Sequence, residues 1–213
     1  MNVWVPGSRP QSQPQALPFD RFSLRRIGEA LRDREPRVIE GTTRAAAVAL
    51  VLRGSAQGVE ALLMKRADHP KDPWSGHVGL PGGRAESADR GLIHTAIRET
   101  AEEIGLTLSP DQDLLGALDE TRATARSRAI DLKIAPFVFV SPGAPDVLTL
   151  SEEVASTHWI PLGELFDTNH VGSVTMQHAG QTLRFPSIEV RGLTVWGLTL
   201  RMLRNFETLV GRP

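Results

Sequence analysis

The stretch that decides the reading runs from Leu80 to Leu106. It opens as Leu80-Pro81-Gly82-Gly83-Arg84-Ala85-Glu86-Ser87-Ala88-Asp89-Arg90. It continues as Gly91-Leu92-Ile93-His94-Thr95-Ala96-Ile97-Arg98-Glu99-Thr100-Ala101-Glu102-Glu103-Ile104-Gly105-Leu106. The second half has a helical pattern that ends at Ile104, with Gly105 as its stop signal. Residues three and four apart share a helix face, so Glu99, Glu102 and Glu103 point the same way. Like charges so placed repel by roughly 0.2–0.5 kcal/mol per pair. A hard divalent cation, which prefers carboxylate oxygen, offsets that cost. The opposite face, Ile93, Ile97, Ala101 and Ile104, is expected to anchor the helix in the core. Arg98 lies four residues before Glu102 and is placed to orient it by a charge-assisted hydrogen bond. A bare E-x-x-E-E helix is ordinarily a solvated acidic face. The glycine-rich loop before this one changes the reading, because glycine permits a tight turn and close approach of a ligand to the backbone.

Working outward, Arg44–Arg53 and Val59–Lys65 are apolar runs separated by a turn with Gly54 and Gly58, and read as adjacent buried strands. Asp68–Gly83 reads as loop. Further strands are expected near Leu114–Asp119, Ile130–Val140 and Val154–Ile160, the last followed by a short turn at Pro161–Leu165. Leu193, Trp196, Leu200 and Leu203 recur at helical spacing, so Gly192–Val210 reads as one amphipathic helix. Near the start, Asp20 is expected to cap a helix with Phe22, Ile27 and Leu31 on one side. Residues 1–18, with Pro6, Pro10, Pro14 and Pro18, read as an extended Pro-rich arm, and 19–213 as the folded domain. Strands mixed with helices, neither segregated nor strictly alternating, point to an α/β sandwich.

Composition narrows the function classes. The chain has 213 residues, with 24 Lys+Arg against 25 Asp+Glu and a formal net charge of −1, which argues against a strongly basic duplex-DNA binder. With no cysteine, thiolate metal sites, disulfide scaffolds and cysteine nucleophiles are excluded. Any metal site must use carboxylates and imidazoles. With no tyrosine, stacking platforms for single-stranded nucleic acid are scarce. No apolar run reaches the ~20 residues a bilayer span needs, and no secretory signal is visible. The expectation is a soluble cytoplasmic protein with a small-molecule partner, no nucleic acid and no membrane. A homodimer is compatible with it.

The loop, helix and carboxylates together resemble the Nudix box, G-x5-E-x7-R-E-U-x-E-E-x-G-U with U aliphatic. Gly83, Arg98, Glu99, Glu102, Glu103, Gly105 and Leu106 occupy matching places. Thr100 stands at an aliphatic position. The stretch from Gly83 to Arg98 is one residue longer than the pattern, with Asp89 where its first glutamate belongs. The coenzyme A pyrophosphatase branch shares both features. Leu62-Leu63-Met64-Lys65-Arg66-Ala67 resembles that branch's L-L-x-x-R-[SA], and Gly76-His77-Val78-Gly79-Leu80-Pro81-Gly82-Gly83 its G-x-x-x-F-P-G-G.

This resemblance implies a Nudix-type α/β/α sandwich with a mixed sheet, and a hydrolase for a nucleoside diphosphate linked to another group. Coenzyme A or acyl-coenzyme A is the expected substrate, giving 3′,5′-ADP and (acyl-)4′-phosphopantetheine. The implied cofactor is Mg²⁺ or Mn²⁺ on Glu99 and Glu103, with Glu102 a third ligand or a base acting through water, and Asp89 and Glu86 weaker candidates. Arg98, Glu102, Glu103 and Glu153 are the implied catalytic residues, Glu153 as base ahead of Glu152 and Glu120. Arg66, Gly82, Gly83 and Arg84 are expected on the diphosphate. Arg126 and Arg128, in a basic loop from Arg122 to Arg128 with Lys133 beyond, are expected on the 3′-phosphate. His69, His77 and Trp74 are placed to touch substrate, although loop histidines are more often bystanders and packing under the loop accounts for Trp74 slightly better. Trp159 and Trp196 read as core. Rival readings are a Nudix hydrolase for ADP-ribose or NADH, a non-catalytic nucleotide-binding Nudix module, and a structural domain with a solvated acidic helix.

Overall fold

Strand β1 (Ala45–Ser55) organises the molecule, because its side chains alternate between two apolar cores. Ala47, Ala49 and Val51 enter one core, and Ala46, Leu50 and Leu52 the other. A strand buried on both faces must lie mid-sheet with helices on either side. The computed structural model, which describes residues 22–69, 75–125, 128–141, 143, 145–178 and 181–211, has this arrangement. Antiparallel β2 (Gly58–Arg66) flanks β1 on one side and parallel β7 (Arg128–Val140) on the other, so the sheet is mixed. The two short strands β3 (Val78–Gly79) and β4 (Gly82–Arg84) pair with β2 and β1. β5 (Leu114–Ala117) and β6 (Thr121–Ala125) pair with β7, and β8 (Val154–Pro161) with β2.

Helix α2 (Leu92–Ile104) covers one face, burying Ala96 and Ile104 against Ala47, Ala49 and Val51. On the other face, α1 (Leu24–Arg32) buries Ile27 and Leu31, and α4 (Gly197–Val210) buries Leu200, Leu203 and Phe206. The result is the α/β/α sandwich with a mixed sheet expected from the sequence. No helix among the described residues is long and apolar enough to cross a membrane.

Several elements differ from the sequence expectation. The α1 cap is Ser23, whose hydroxyl accepts the Arg26 N–H at 3.3 Å; Asp20 lies outside the described residues, as do arm residues 1–18. Of the supposed basic loop, residues 122–125 are instead part of strand β6 and Arg128 begins β7, with Arg122 opposite Lys133 and Ala125 opposite Arg128. Part of Asp68–Gly83 forms β3 and β4. Pro161–Leu165 contains the short helix α3 (Leu162–Leu165). The Gly192–Val210 helix begins only at Gly197; before it, β11 (Leu193–Trp196) pairs with β10 (Gln181–Val190), which pairs with β9 (Val171–His178). These three strands form a second antiparallel sheet.

Candidate active site

The carboxylates of α2 meet the glycine loop because β4 runs beside β1, with Ala47 opposite Gly83 and Val48 opposite Gly82. This packing leaves no room for a side chain at Gly82, and one at Gly83 would displace the Glu99 carboxylate. A Cβ on Gly82 would stand 2.3 Å from the Ala47 carbonyl oxygen, and Gly82 has φ +151°. A Cβ on Gly83 would stand 2.4 Å from the Glu99 carboxylate. The glycines thus let the loop close directly onto the helix face that carries Glu99 and Glu103.

The buried side of α2 differs in detail from the sequence expectation. Ala101 is exposed, and Thr95, Ala96, Thr100, Glu103 and Ile104 are the buried residues of α2. Thr100 occupies its apolar position at little cost, since its hydroxyl donates to the Ala96 carbonyl at 2.6 Å. Ile93 and Ile97 are partly buried against the same core. The helix ends with the Gly105 N–H donating to the Ala101 carbonyl.

Arg98 is the hub of the acidic cluster. Its Nε and Nη2 donate to the two oxygens of Asp89, each at 3.1 Å. Its Nη1 donates to Glu99 at 3.0 Å and to Glu102 at 2.9 Å. Nη2 also reaches the Arg84 carbonyl at 3.1 Å, fastening the loop to the helix. Asp89 further accepts the Glu86 N–H at 2.9 Å and the Thr95 hydroxyl at 2.8 Å. These bonds, Arg98 first, hold its carboxyl well below the usual range. Glu86 is exposed, with its oxygen 4.0 Å from Arg98.

Glu103 has the opposite environment. It is 5% exposed. One oxygen accepts the Gly82 N–H at 2.8 Å, and the other lies 3.7 Å from Arg66 Nη1. Burial, reinforced by the nearby charge of Glu99, pushes its carboxyl up to about 7 against the opposing pull of the Gly82 N–H. Burial also raises the Glu99 carboxyl, with Arg98 opposing. A buried carboxylate beside a second one is a site where a cation is electrostatically favoured.

Arg66, at the end of β2, bridges outward: its Nη2 lies 3.9 Å from Glu153, whose side chain is 70% exposed. The Ala67 N–H donates to the Glu153 carbonyl at 2.8 Å, and the Ser151 N–H to the Glu103 carbonyl at 2.9 Å. The loop before β8 is thereby tied both to β2 and to the end of α2.

The structure thus brings Arg66, Gly82, Gly83, Arg84, Asp89, Arg98, Glu99, Glu102, Glu103 and Glu153 to one end of the sheet. Among the described residues, no three carboxylate or imidazole side chains converge into a ready chelate, Arg98 being the partner of Glu99 and Glu102. Glu120 and Lys133 are spent on each other at 3.0 Å. Arg126 and Trp74 lie outside the described residues, and for Arg128 only the backbone is described. Trp159 is core, as expected. Trp196 is not: it is half-buried, and with His77 it lines a large cleft opening at Arg66 and Gly82–Arg84. Thr95 was not singled out in the sequence; its place six residues after Asp89, one turn into the helix, was the available signal.

Residues 42–178 match the NUDIX domain. The chain belongs to the Nudix family. It is 32% identical to the human mitochondrial coenzyme A diphosphatase NUDT8, over 73% of this chain and 65% of that protein. It is 30% identical to the uncharacterized Nudix hydrolase NudL of Yersinia pestis, over 70% of this chain and 71% of that protein. An uncharacterized protein of Schizosaccharomyces pombe, C14C4.10c, is 40% identical over 49% of this chain and 32% of its own length. The chain therefore spans about a third of the fission-yeast protein and just under two thirds of the human one. The Nudix match includes the whole loop–helix unit from Gly82 to Ile104.

Proposed function

We propose that this Nudix protein is a divalent-metal-dependent pyrophosphohydrolase that splits coenzyme A or acyl-coenzyme A into 3′,5′-ADP and (acyl-)4′-phosphopantetheine. The observation that carries the hydrolase reading is the seating of the Gly82-Gly83 loop on the carboxylate face of α2, with Arg66 alongside. The choice of coenzyme A is supported by the likeness to NUDT8 over 73% of this chain and by the Leu62–Ala67 and Gly76–Gly83 segments.

The donor set is all oxygen and suits Mg²⁺ or Mn²⁺. Glu99, Glu102 and Glu103 would hold the ion, and the raised Glu103 carboxyl is the group that gains most from a cation. When bound, the metal neutralises phosphate charge and makes water more acidic. Asp89, with both oxygens on Arg98, positions that arginine, and Arg98 in turn orients Glu99 and Glu102. Arg66 binds a diphosphate oxygen. Glu153, near Arg66 and open to solvent, takes the proton of the attacking water. The water oxygen bonds to one phosphorus as that phosphorus loses the bridging oxygen, which departs with the other phosphate.

The test is a panel of coenzyme A, acyl-coenzyme A, ADP-ribose and NADH with Mg²⁺ or Mn²⁺, products identified by mass. Release of 3′,5′-ADP from coenzyme A or its esters is expected. Hydrolysis of ADP-ribose or NADH with coenzyme A and its esters intact overturns the substrate assignment.

A further inference from the structure

The second sheet forms a wall that the Nudix match, ending at residue 178, covers only in part. Along β10, Leu183 and Phe185 alternate with exposed Thr182 and Arg184, so one face of the hairpin is apolar. Across from them on β9, Met176 pairs with Leu183 and Val174 with Phe185. The Phe185 ring lies 5.8 Å from Trp196, and the Trp196 ring 4.9 Å from His77. The His77 carbonyl accepts the Arg66 N–H at 3.0 Å. A continuous row of side chains thus leads from the apolar hairpin to the diphosphate-binding end. Met176, Leu183, Phe185, Trp196, His77 and Arg66 all border one cleft of about 1140 Å³, whose wall also includes Gly82, Gly83 and Arg84. That volume exceeds the ~300–1,000 Å³ usual for small-molecule sites.

Away from the diphosphate-binding end, several polar side chains of this wall are already engaged. Ser187 donates to Glu189 at 2.8 Å, Thr199 to the Val78 carbonyl at 3.0 Å, and Gln177 to Thr182 at 2.9 Å. Arg204 pairs with Glu207 at 2.6 Å, and Arg201 reaches the Arg122 carbonyl at 3.5 Å. A ribose or purine lodged along Leu183 and Phe185 would bury hydroxyls and ring nitrogens against groups that offer few partners. An alkyl chain would lose nothing there. Met176 is 39% exposed and Leu183, Phe185 and Trp196 are half-buried, so apolar surface remains to be covered.

We infer that this cleft is the subsite for the acyl chain of an acyl-coenzyme A, laid along Trp196, Phe185, Leu183 and Met176, and that the protein prefers acylated over free coenzyme A. The inference rests on the coenzyme A reading above. The experiment measures kcat/KM for free coenzyme A and for straight-chain acyl esters of increasing length, with ADP-ribose alongside. A rise of about tenfold or more from free coenzyme A to a long acyl ester, carried mainly by KM, is expected, each buried methylene adding up to about fourfold. A flat or falling profile with coenzyme A hydrolysed overturns the subsite and leaves the coenzyme A reading standing. Hydrolysis of ADP-ribose with every coenzyme A compound intact overturns both. In Leu183→Arg, a charge in the cleft should bring the acyl-to-free ratio toward one; an unchanged ratio in the folded variant contradicts the placement.

Discussion

The two ends of α2 treat a carboxylate in opposite ways. Before its first turn, Asp89 receives two bonds from Arg98, one from Thr95 and one from the Glu86 N–H, and its carboxyl is held low. At its last turn, Glu103 is buried with one backbone N–H at 2.8 Å and a guanidinium at 3.7 Å, and its carboxyl is pushed up to about 7. Both are acidic residues of one motif beside arginine. The difference is that Asp89 is saturated with donors, whereas Glu103 keeps unmet demand for positive charge. The first is suited to fastening the loop to the helix, the second to receiving a cation.

The contrast can be broken or sharpened by substitution. Glu103→Gln should have the largest effect, lowering kcat by about 10³-fold, the scale seen when a group stabilising charge at the reacting atoms is removed. The same change should leave the metal-free fold at least as stable at neutral pH, because a neutral amide replaces a carboxyl that burial disfavours; thermal unfolding checks this. Asp89→Asn should show the reverse balance. It should lower the melting temperature by about 5 °C and activity by about 10–100-fold, the range for residues that orient metal ligands. An equal loss of activity in both variants would erase the distinction.

Gly83→Ala comes next, because the added methyl enters the space of the Glu99 carboxylate. A displaced Glu99 should cost about tenfold or more in kcat/KM, since small misplacements are expensive at reacting centres. The smallest effect is on stability against pH. The Glu103 carboxyl titrates near 7 when folded against an ordinary value of 4.5. Between those values the folded, metal-free chain holds a proton that the unfolded chain has released. Its contribution is therefore full below pH 4.5 and is lost as pH rises to about 7. Asp89 acts with the opposite sign: its stabilisation is present above its ordinary value of 3.8 and is lost as pH falls below it. Denaturant titrations across pH should show both limbs, and Glu103→Gln should remove the upper one.

Much of the site was legible in the sequence because α2 is a local object. The spacing of Arg98, Glu99, Glu102 and Glu103 brings their side chains together whatever packs around them. The state of each carboxyl was not legible, since it depends on which chain segment closes over it. Glu103 is buried by the Gly82 loop, and Asp89 meets Arg98 across the turn at residues 86–89. The second sheet was hidden for a related reason. Leu193 and Trp196 are three apart, like neighbours on a helix, and pairing with Val190 and Ser187 is what makes them a strand. The charges from Arg122 to Arg128 read as a basic loop, yet residues 122–125 belong to strand β6 and Arg128 begins β7, its pairing partner. In both cases cross-strand pairing within a hairpin, and not the spacing of the side chains, decides the conformation.

Titration with Mn²⁺ followed by electron paramagnetic resonance of the free ion tests the central claim most directly, on the unaltered protein, Glu103→Gln and Asp89→Asn at neutral pH. The unaltered protein should bind Mn²⁺, Glu103→Gln should lose at least about tenfold in affinity, and Asp89→Asn should lose less. Mn²⁺ binding by Glu103→Gln as tight as that of the unaltered protein would contradict the assignment of this buried carboxylate to the metal.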